Sequence, residues 1–575
     1  MLTTPGGWLL VLAVLGPFVG ALAGLALGGH HARRIAMLAL PAGLAVAAGI
    51  AWTRVHSGDT VVYLLGGWAP PLGIALRADA LSAVMLLAVA VVLCGIGVYA
   101  RADFGTAAGT SDKRAPFVFW LLFLAVWGSL NLVLVSGDLF TLYVALELLT
   151  FSGVPLVCLD GRGETLRAAL RYLLFALAGS LLYLLGAVLL YGGYGTLDIA
   201  LLAGRVRPEP VAWAATTLMT VGLLAKTALF PLHIWLPPAH AGAPAAASAV
   251  LSALVINGSW FLIVRLWFDV MPGVVTVSSA QLLAGLGAAA IVIGSVVALR
   301  QERLKLLVAY STVAQIGYLF LMFPLAFDAS GSALVHGPVL TSGVLQAVAH
   351  ATAKAGMFMA AGLVHAALGH DRIADLGGVA RAMPVTLLAF LVAGLALTGV
   401  VPSGAYLAKK LLLDAADGSG QWWWTLFLEV AGAFTVGYMV LVLAHALRRP
   451  AASMPLLRPV SRISEYAALV LALCSLLLGL AAFGPLPGAV VSNPLLPGEL
   501  VSTMLVFLGG ALLALALQRH PWPGRGDAAT LRRATVAVAA LFERVDTFLR
   551  RWPSAVIALL VLAALFAGSM LSPRR

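Results

Sequence analysis

Charge is scarce in this chain: 10% of its 575 residues are Asp, Glu, Lys or Arg. That is too little to solvate the surface of a globular protein of this length. Cysteine is scarcer still, and Cys94, Cys158 and Cys474 stand alone. No CxxC pair or ferredoxin-like spacing joins them, so neither an iron–sulfur cluster nor a structural zinc is indicated. Nor is there a phosphate-binding loop or a GxGxxG following a strand. These absences take resident redox chemistry and ATP hydrolysis off the expected functions, and no cofactor and no metal are expected.

What the chain has instead is apolar length. Hydrophobic residues make up 62% and mean hydropathy is +1.02, the composition of an integral membrane protein. Runs close to the roughly 20 residues that span a bilayer recur from end to end. We read about sixteen spans, near 8–28, 35–52, 79–100, 115–136, 139–158, 169–191, 210–230, 247–270, 279–299, 305–326, 338–366, 383–413, 424–446, 463–485, 499–517 and 554–571. The first lacks a basic flank before it and a clear small-residue cleavage site after it, which predicts a retained helix rather than a signal peptide.

The net charge of +12 would suggest nucleic acid in a soluble protein. Here its placement reports orientation, and no nucleic acid is expected as a partner. Arg33 and Arg34, Arg101, Lys113 and Arg114, Arg162 and Arg167, Arg300, Arg303 and Lys305, then Arg448, Arg449, Arg458 and Arg462 all follow odd-numbered spans. Loops after even-numbered spans carry few, such as Arg54, Arg77, Arg205 and Arg207. The expected placement is a multi-pass protein of the cell inner membrane with both termini on the external, periplasmic side.

A short set of ionisable residues interrupts the apolar segments: Glu147 in LYVALELLTF, Lys226 in LLAKTALFP, His350 and Lys354 in AVAHATAKAGMF, and Lys409 with Lys410 in SGAYLAKKLLL. A charge at the bilayer centre costs about 2.5–3.5 kcal/mol on insertion scales, so several persist only where they face one another or a wet cavity. An ion path is the default reading. The plainer alternatives stay open at this stage. Glu147 fits a structural counter-ion for a buried lysine, which need not stabilise the fold. His233 and His240 fit capping or loop positions, and Lys410 and Arg265 fit side chains that snorkel to the surface. His350 and Lys354 lie one turn apart on a helix face, but a protonated lysine makes HxxxK a poor metal site.

Helix breakers fall beside two of these lysines. Pro231 removes a backbone donor and predicts a break in the seventh span just after Lys226, and Pro402 with Gly404 predicts one in the twelfth just before Lys409. Irregular backbone at membrane depth survives where protein or water satisfies its polar groups. Two broken helices with a lysine beside each also suggest two structural repeats, a device of transporters. The expected organisation is an all-α polytopic protein: helices 1–3 in residues 1–114, a first five-helix repeat in 115–270, a second, inverted one in 271–446, and helices 14–16 in 447–575.

At this point a resemblance emerges. KTALFPLHIWLPPAHAGAPAAASAVLSALV, residues 226–255, closely resembles the signature of the proton-translocating, antiporter-like membrane subunits. That superfamily is shared by respiratory complex I, multisubunit sodium/proton antiporters, membrane-bound hydrogenases, formate hydrogenlyases and some inorganic-carbon uptake complexes. ERLKLLVAYSTVAQIGYLF (302–320) is similar to its tenth-span motif, HATAKAGMFMAAG (350–362) to its eleventh, and GDLFTLYVALELLTF (137–151) carries its fifth-span glutamate. The likeness covers about residues 60–445. It implies that Glu147 switches Lys226 and that protons pass along a lysine and histidine row, with His350 and Lys354 as intermediates, to Lys409. His233, His240, Lys305 and Lys410 are secondary candidates. The chain departs from the pattern at Asn257, where many relatives carry a lysine eight residues before an arginine, here Arg265. An asparagine hydrogen-bonds and holds water but does not titrate.

The resemblance implies a non-redox subunit of a translocase such as a quinone oxidoreductase or membrane hydrogenase, working with other membrane subunits and a redox or cation-exchange module. Protons are the expected cargo, with Na+ as a second candidate. A subunit of a proton-driven inorganic-carbon uptake complex and a stand-alone secondary transporter are the competing readings. Between spans fifteen and sixteen, ATLRRATVAVAALFERVDTFLRR (529–551) sets Val538, Phe542, Val545 and Leu549 at helical spacing. It predicts an amphipathic lateral helix roughly 30–35 Å long, lying on lipid or bracing an adjacent subunit. Trp422, Trp423 and Trp424 are expected in the outer aromatic belt.

The arginine and lysine asymmetry generates a direct test. After replacement of the three native cysteines, a cysteine at position 458 is expected to react with a membrane-impermeant maleimide from the cytoplasmic side. Labelling from outside alone overturns the orientation.

Overall fold

The computed structural model describes residues 2–105, 114–328, 330–331, 334–449, 456–483, 497–517 and 528–571. Lys113 of the charge argument and residues 450–455 of the 448–462 loop lie outside the described residues. The described chain is nearly all helix. Fourteen described segments are long and apolar enough to cross a membrane, and two apolar helices, Pro384–Thr398 and Met504–Ala516, are shorter.

The principal helices are α1 (Trp8–Leu27), α2 (Gly29–Ser57), α3 (Ala80–Asp103), α4 (Arg114–Val135), α5 (Leu139–Val157), α6 (Gly163–Tyr194), α7 (Pro210–Thr227), α8 (Leu236–Gly242), α9 (Ala245–Val270), α10 (Val277–Leu299), α11 (Leu304–Phe320), α12 (Pro338–Leu368), α13 (Pro384–Thr398), α14 (Gly404–Gly418), α15 (Trp422–Ala446), α16 (Arg462–Leu477), α17 (Pro497–Leu517), α18 (Ala528–Leu549) and α19 (Trp552–Leu571). Between α2 and α3 the chain forms a small antiparallel hairpin, β1 (Val61–Leu64) and β2 (Ala75–Ala78), in register Val61↔Ala78.

Both expected breaks are present. The seventh span stops at Thr227, continues through Ala228, which sits in the left-handed region at φ 58, and resumes as α8 after the turn Leu232–Trp235. The twelfth is α13 and α14, parted at Gly399 (φ 80) and Pro402. In each, a proline without an amide hydrogen follows the last helical residue by a few positions, so the ladder has no donor with which to continue.

The chain divides into two compact units: Met1–Thr227 with Gly242–Ser279 and Leu559–Arg575, and Ala228–Ala241 with Ala280–Ala558. The first unit packs α6 closely along α7. Gly179 and Gly222 face each other there, and a Cβ on Gly222 would meet the Gly179 carbonyl oxygen at 2.3 Å. Small residues let the two backbones approach, the usual basis of helix packing in lipid. Arg265, expected to snorkel, is instead gripped from two sides: it donates to Asp79 at 2.5 and 2.6 Å, to Asp269 at 2.8 Å and to Ser82 at 2.8 Å.

The second unit contains α18, the helix expected to be lateral, and here the structure corrects the sequence reading of its apolar stripe. The expected apolar stripe is Val538, Phe542, Val545 and Leu549. Val538, Leu541 and Phe548 are the large apolar side chains left more than half exposed, while Ala539 and Asp546 are buried at 0% and 3%. The outward residues are therefore 538, 541 and 548, with Phe542, Val545 and Leu549 half-buried, and an acid turns inward. Trp424 also departs from expectation. Trp422 and Trp423 are exposed, but Trp424 is buried with its Nε1 donating to Gln281 at 3.0 Å.

The glycine crossing should be sensitive to one methyl group. Gly222→Ala is expected to destabilise the folded chain by about 1–3 kcal/mol through overpacking, read as a lowered thermal midpoint of the purified protein. An unchanged midpoint would show that α6 and α7 can part without cost.

Candidate functional site

The first unit holds one buried cation with an unusual set of acceptors. Lys226 lies one residue from the end of α7 and is 7% exposed. Its Nζ donates to Ser180 Oγ at 2.6 Å, Thr150 Oγ1 at 2.9 Å, the Ala176 carbonyl at 3.3 Å and, at 3.5 Å, the Leu146 carbonyl. All four acceptors are neutral. Ser180 and Ala176 come from α6, and the Gly179–Gly222 crossing one turn away brings them within reach.

Thr150 and Leu146 bracket the turn of α5 that carries Glu147. The expected partners are thus set against the same turn, and the Glu147 charge acts on Lys226 through space. No hydrogen bond or ion pair joins the two among the described residues. Glu147 Oε1 is buried without a hydrogen-bond partner, so the carboxylate is an acceptor held beside an ammonium that is bonded elsewhere. Asn257, on α9, is 1% exposed and donates from Nδ2 to the Ala253 carbonyl of its own helix at 2.8 Å.

The second unit gathers the remaining candidates: His233 in the turn Leu232–Trp235, His240 on α8, and the others along α11, α12 and α14. His350 and Lys354 are completely buried, one turn apart on α12, and Lys354 Nζ donates to Ser311 Oγ of α11 at 2.5 Å. His240 is also fully buried, its ring 4.7 Å from that of Phe358, with neither nitrogen hydrogen-bonded. The charges of Lys305 and Lys354 both act on that ring. Lys305, 6% exposed, begins α11, where its backbone N–H donates to Asp371 at 3.2 Å. Asp371 also takes Arg303 Nε at 2.9 Å.

From Ser311 the polar groups continue. Gln315, one turn along α11, accepts from Gln346 Nε2 at 3.2 Å and donates to Thr435 Oγ1 at 3.2 Å. Gln315 and Gln346 then line a cavity of about 20 Å³ together with Tyr318, Thr398 and Lys409, room for about one water. Lys409 pairs with Glu429 at 3.1 Å. Its neighbour Lys410 reaches Asp414 at 3.9 Å, the geometry of a surface pair. Gln315, Gln346, Thr150, Ser180, Ser311 and Glu429 do not stand out in the sequence. One signal is available there: Gln346, His350 and Lys354 recur every four residues and share a helix face.

Lys226 and Lys354, buried among hydroxyl and carbonyl acceptors, and Lys409, paired with a carboxylate after the second break, define a polytopic membrane protein that holds cations inside its helices. Residues 136–435 match the family described as NADH:quinone oxidoreductase/Mrp antiporter, TM, and the chain belongs to it. It is similar to the NADH-quinone oxidoreductase N subunit of Desulforudis audaxviator, with 35% identity over 72% of this chain and 79% of the relative. It is similar also to a Na(+)/H(+) antiporter subunit of Bacillus subtilis, with 26% identity over 76% of this chain and 86% of the relative. In fold it resembles a chain of the Mrp complex from a Dietzia species, at TM-score 0.72 and 24% identity over 92% of this chain and 99% of that one. A chain of the membrane-bound sulfane sulfur reductase, an archaeal respiratory membrane complex, gives TM-score 0.73 at 25% identity over 87% of this chain and 97% of that one. The chain is an antiporter-like, multi-pass membrane subunit.

If Lys226 exchanges acceptors between its neutral cage and Glu147, both charges are required and neither is a brace. Glu147→Gln and Lys226→Ala are each expected to abolish coupled proton movement in proteoliposomes while the protein still assembles. Normal pumping in either variant removes that residue from the mechanism.

Proposed function

We propose that this chain moves protons across the cell inner membrane as one subunit of a multisubunit complex driven by a redox or cation-exchange partner, with Na+ as a second candidate cargo. The observation that carries this reading is the run of polar groups in the second unit: Lys354, Ser311, Gln315, Gln346, a water-sized cavity, Lys409 and Glu429. Such a run inside apolar helices is costly to insert and has no evident structural need. The hydroxyl donates and accepts, and the two glutamine amides, which do not titrate, orient a bridging water that carries the proton between Lys354 and Lys409.

In this reading Glu147 and Lys226 form the switch of the first unit, and Asn257 contributes by anchoring water rather than by titrating. The sixteen crossings, the inverted five-helix repeats in 115–270 and 271–446, and external termini belong to the same proposal. They are supported by the two broken spans and the arginine and lysine asymmetry. The relatives named as subunits of a quinone oxidoreductase and of a Na(+)/H(+) antiporter support both kinds of driving partner.

The test is proton flux in proteoliposomes holding the assembled complex. Replacing Gln315 and Gln346 together by Leu should cut flux by at least about tenfold, the scale of losing a positioned proton-transfer group. Lys409→Ala should block more strongly than Lys410→Ala, because Lys410 sits in a surface pair. Parental flux in the glutamine double variant overturns the route, and equal or reversed lysine effects overturn the assignment of Lys409.

A further inference from the structure

The lateral helix carries a carboxylate where an interfacial helix has no need of one. An amphipathic helix at a membrane surface points its apolar side chains into lipid and its charges into water. α18 keeps the first half of that rule with Val538, Leu541 and Phe548. It breaks the second at Asp546, which is 3% exposed. The helix already has a charged tie to its own unit through Arg300 and Glu543 at 2.8 Å, with Glu543 partly in solvent. Anchoring does not require a second, buried acid.

Asp546 is fully engaged. Its Oδ1 accepts from His233 Nε2 at 3.0 Å, and its Oδ2 accepts from the Tyr310 hydroxyl at 2.8 Å and from Arg550 at 2.7 Å. The Arg550 guanidinium also lies over the Tyr310 ring, 5.6 Å from its centroid. His233 belongs to the turn Leu232–Trp235 inside the broken seventh span and is 1% exposed. Because Nε2 donates to the carboxylate, the proton of the neutral ring resides on Nε2. Nδ1 is buried and has no hydrogen-bond partner, so it presents a lone pair. A carboxylate that holds one ring nitrogen and leaves the other open sets a histidine up to take and return a proton at a single atom.

We propose that Asp546 is a positioning residue for proton transfer at His233. The lateral helix thereby supplies a working part of the transport machinery. A proton is accepted and released at Nδ1; Nε2–H stays bonded to Asp546 throughout, and the carboxylate balances the ring while it carries two protons. Tyr310 and Arg550 fix the carboxylate and do not carry the proton. The inference rests on the proton-moving reading above.

The arrangement makes an asparagine substitution informative. Tyr310 and Arg550 both require an acceptor, so the amide oxygen of Asp546→Asn takes the Oδ2 position and its NH₂ turns to His233. The ring must then accept at Nε2 and carry its proton on Nδ1, which closes the exchange site. In the assembled complex, solid-state ¹⁵N NMR of the histidine ring should show the Nε2–H tautomer for the parental protein and Nδ1–H for Asp546→Asn. Proton flux per assembled complex should fall by at least about tenfold, and Asp546→Glu should recover it to within about threefold. His233→Gln alone should be as impaired as His233→Gln combined with Asp546→Asn, since residues acting as a unit are not additive. Parental flux in Asp546→Asn, or a parental ring carrying its proton on Nδ1, overturns the proposal. The second readout stands even if the asparagine variant fails to assemble. Lys354→Ala, measured alongside, separates the two levels: if it keeps parental flux the proton-moving reading fails, whereas if it blocks flux and Asp546→Asn does not, only the role of Asp546 fails.

Discussion

An ammonium placed inside a membrane-spanning bundle has to find its acceptors in the protein itself, because lipid offers none. Much of this structure follows from that constraint. For Lys226 the acceptors are two hydroxyls and two backbone carbonyls. Those on α6 reach it because two glycines allow α6 and α7 to approach. For Lys354 the acceptor is one serine hydroxyl, and for Lys409 a carboxylate next to a small cavity.

The lysines differ in what balances them, and the difference suits charge that moves. A lysine locked bidentate to a carboxylate is hard to discharge, whereas one held by neutral dipoles can give up its proton or shift partner without leaving a bare anion behind. Lys226 is hydrogen-bonded in the second way, but Glu147, near enough to act on it and bonded to nothing at Oε1, is the anion its discharge would leave unbalanced. Lys409, partly exposed and paired with a partly exposed Glu429, has solvent to share the load. The gradation from neutral cage to solvated pair is a property of the side chains around each lysine, since the lysines themselves are chemically identical.

The sequence reveals the elements that break a strong rule. A charge within an apolar run and a proline within a helical one stand out against their surroundings, so Glu147, Lys226, Lys354 and Lys409, both interruptions and nearly every span are legible. The residues that complete the sites are not. Serine, threonine and glutamine occur often in membrane helices without special purpose, and whether Ser180, Ser311 or Gln315 faces a lysine depends on how helices far apart in sequence rotate against each other. Asp546 is hidden for a different reason. In an amphipathic pattern an acid is assigned to the water face by default, and the actual stripe is turned from the expected one, with Leu541 and Phe548 outward in place of Phe542 and Leu549. Arg265 is hidden similarly: Asp269 lies four residues on along the same helix, but Asp79 becomes its neighbour only through the fold.

The two faces of the lateral helix also limit how it can move. Rolling about its own axis by one residue, about 100°, would turn Val538, Leu541 and Phe548 off their outward face and pull Asp546 from His233 and Tyr310, the two donors outside its own helix, at the same moment. Rotation is thus opposed on both sides, while tilt and displacement along the axis are opposed mainly by the bonds to His233, Tyr310 and Arg300. Mechanically the helix is a keyed shaft rather than a free rod. An insertion or deletion of a single residue between 539 and 546 changes the key, whereas exchange of one outward hydrophobic residue for another leaves it intact.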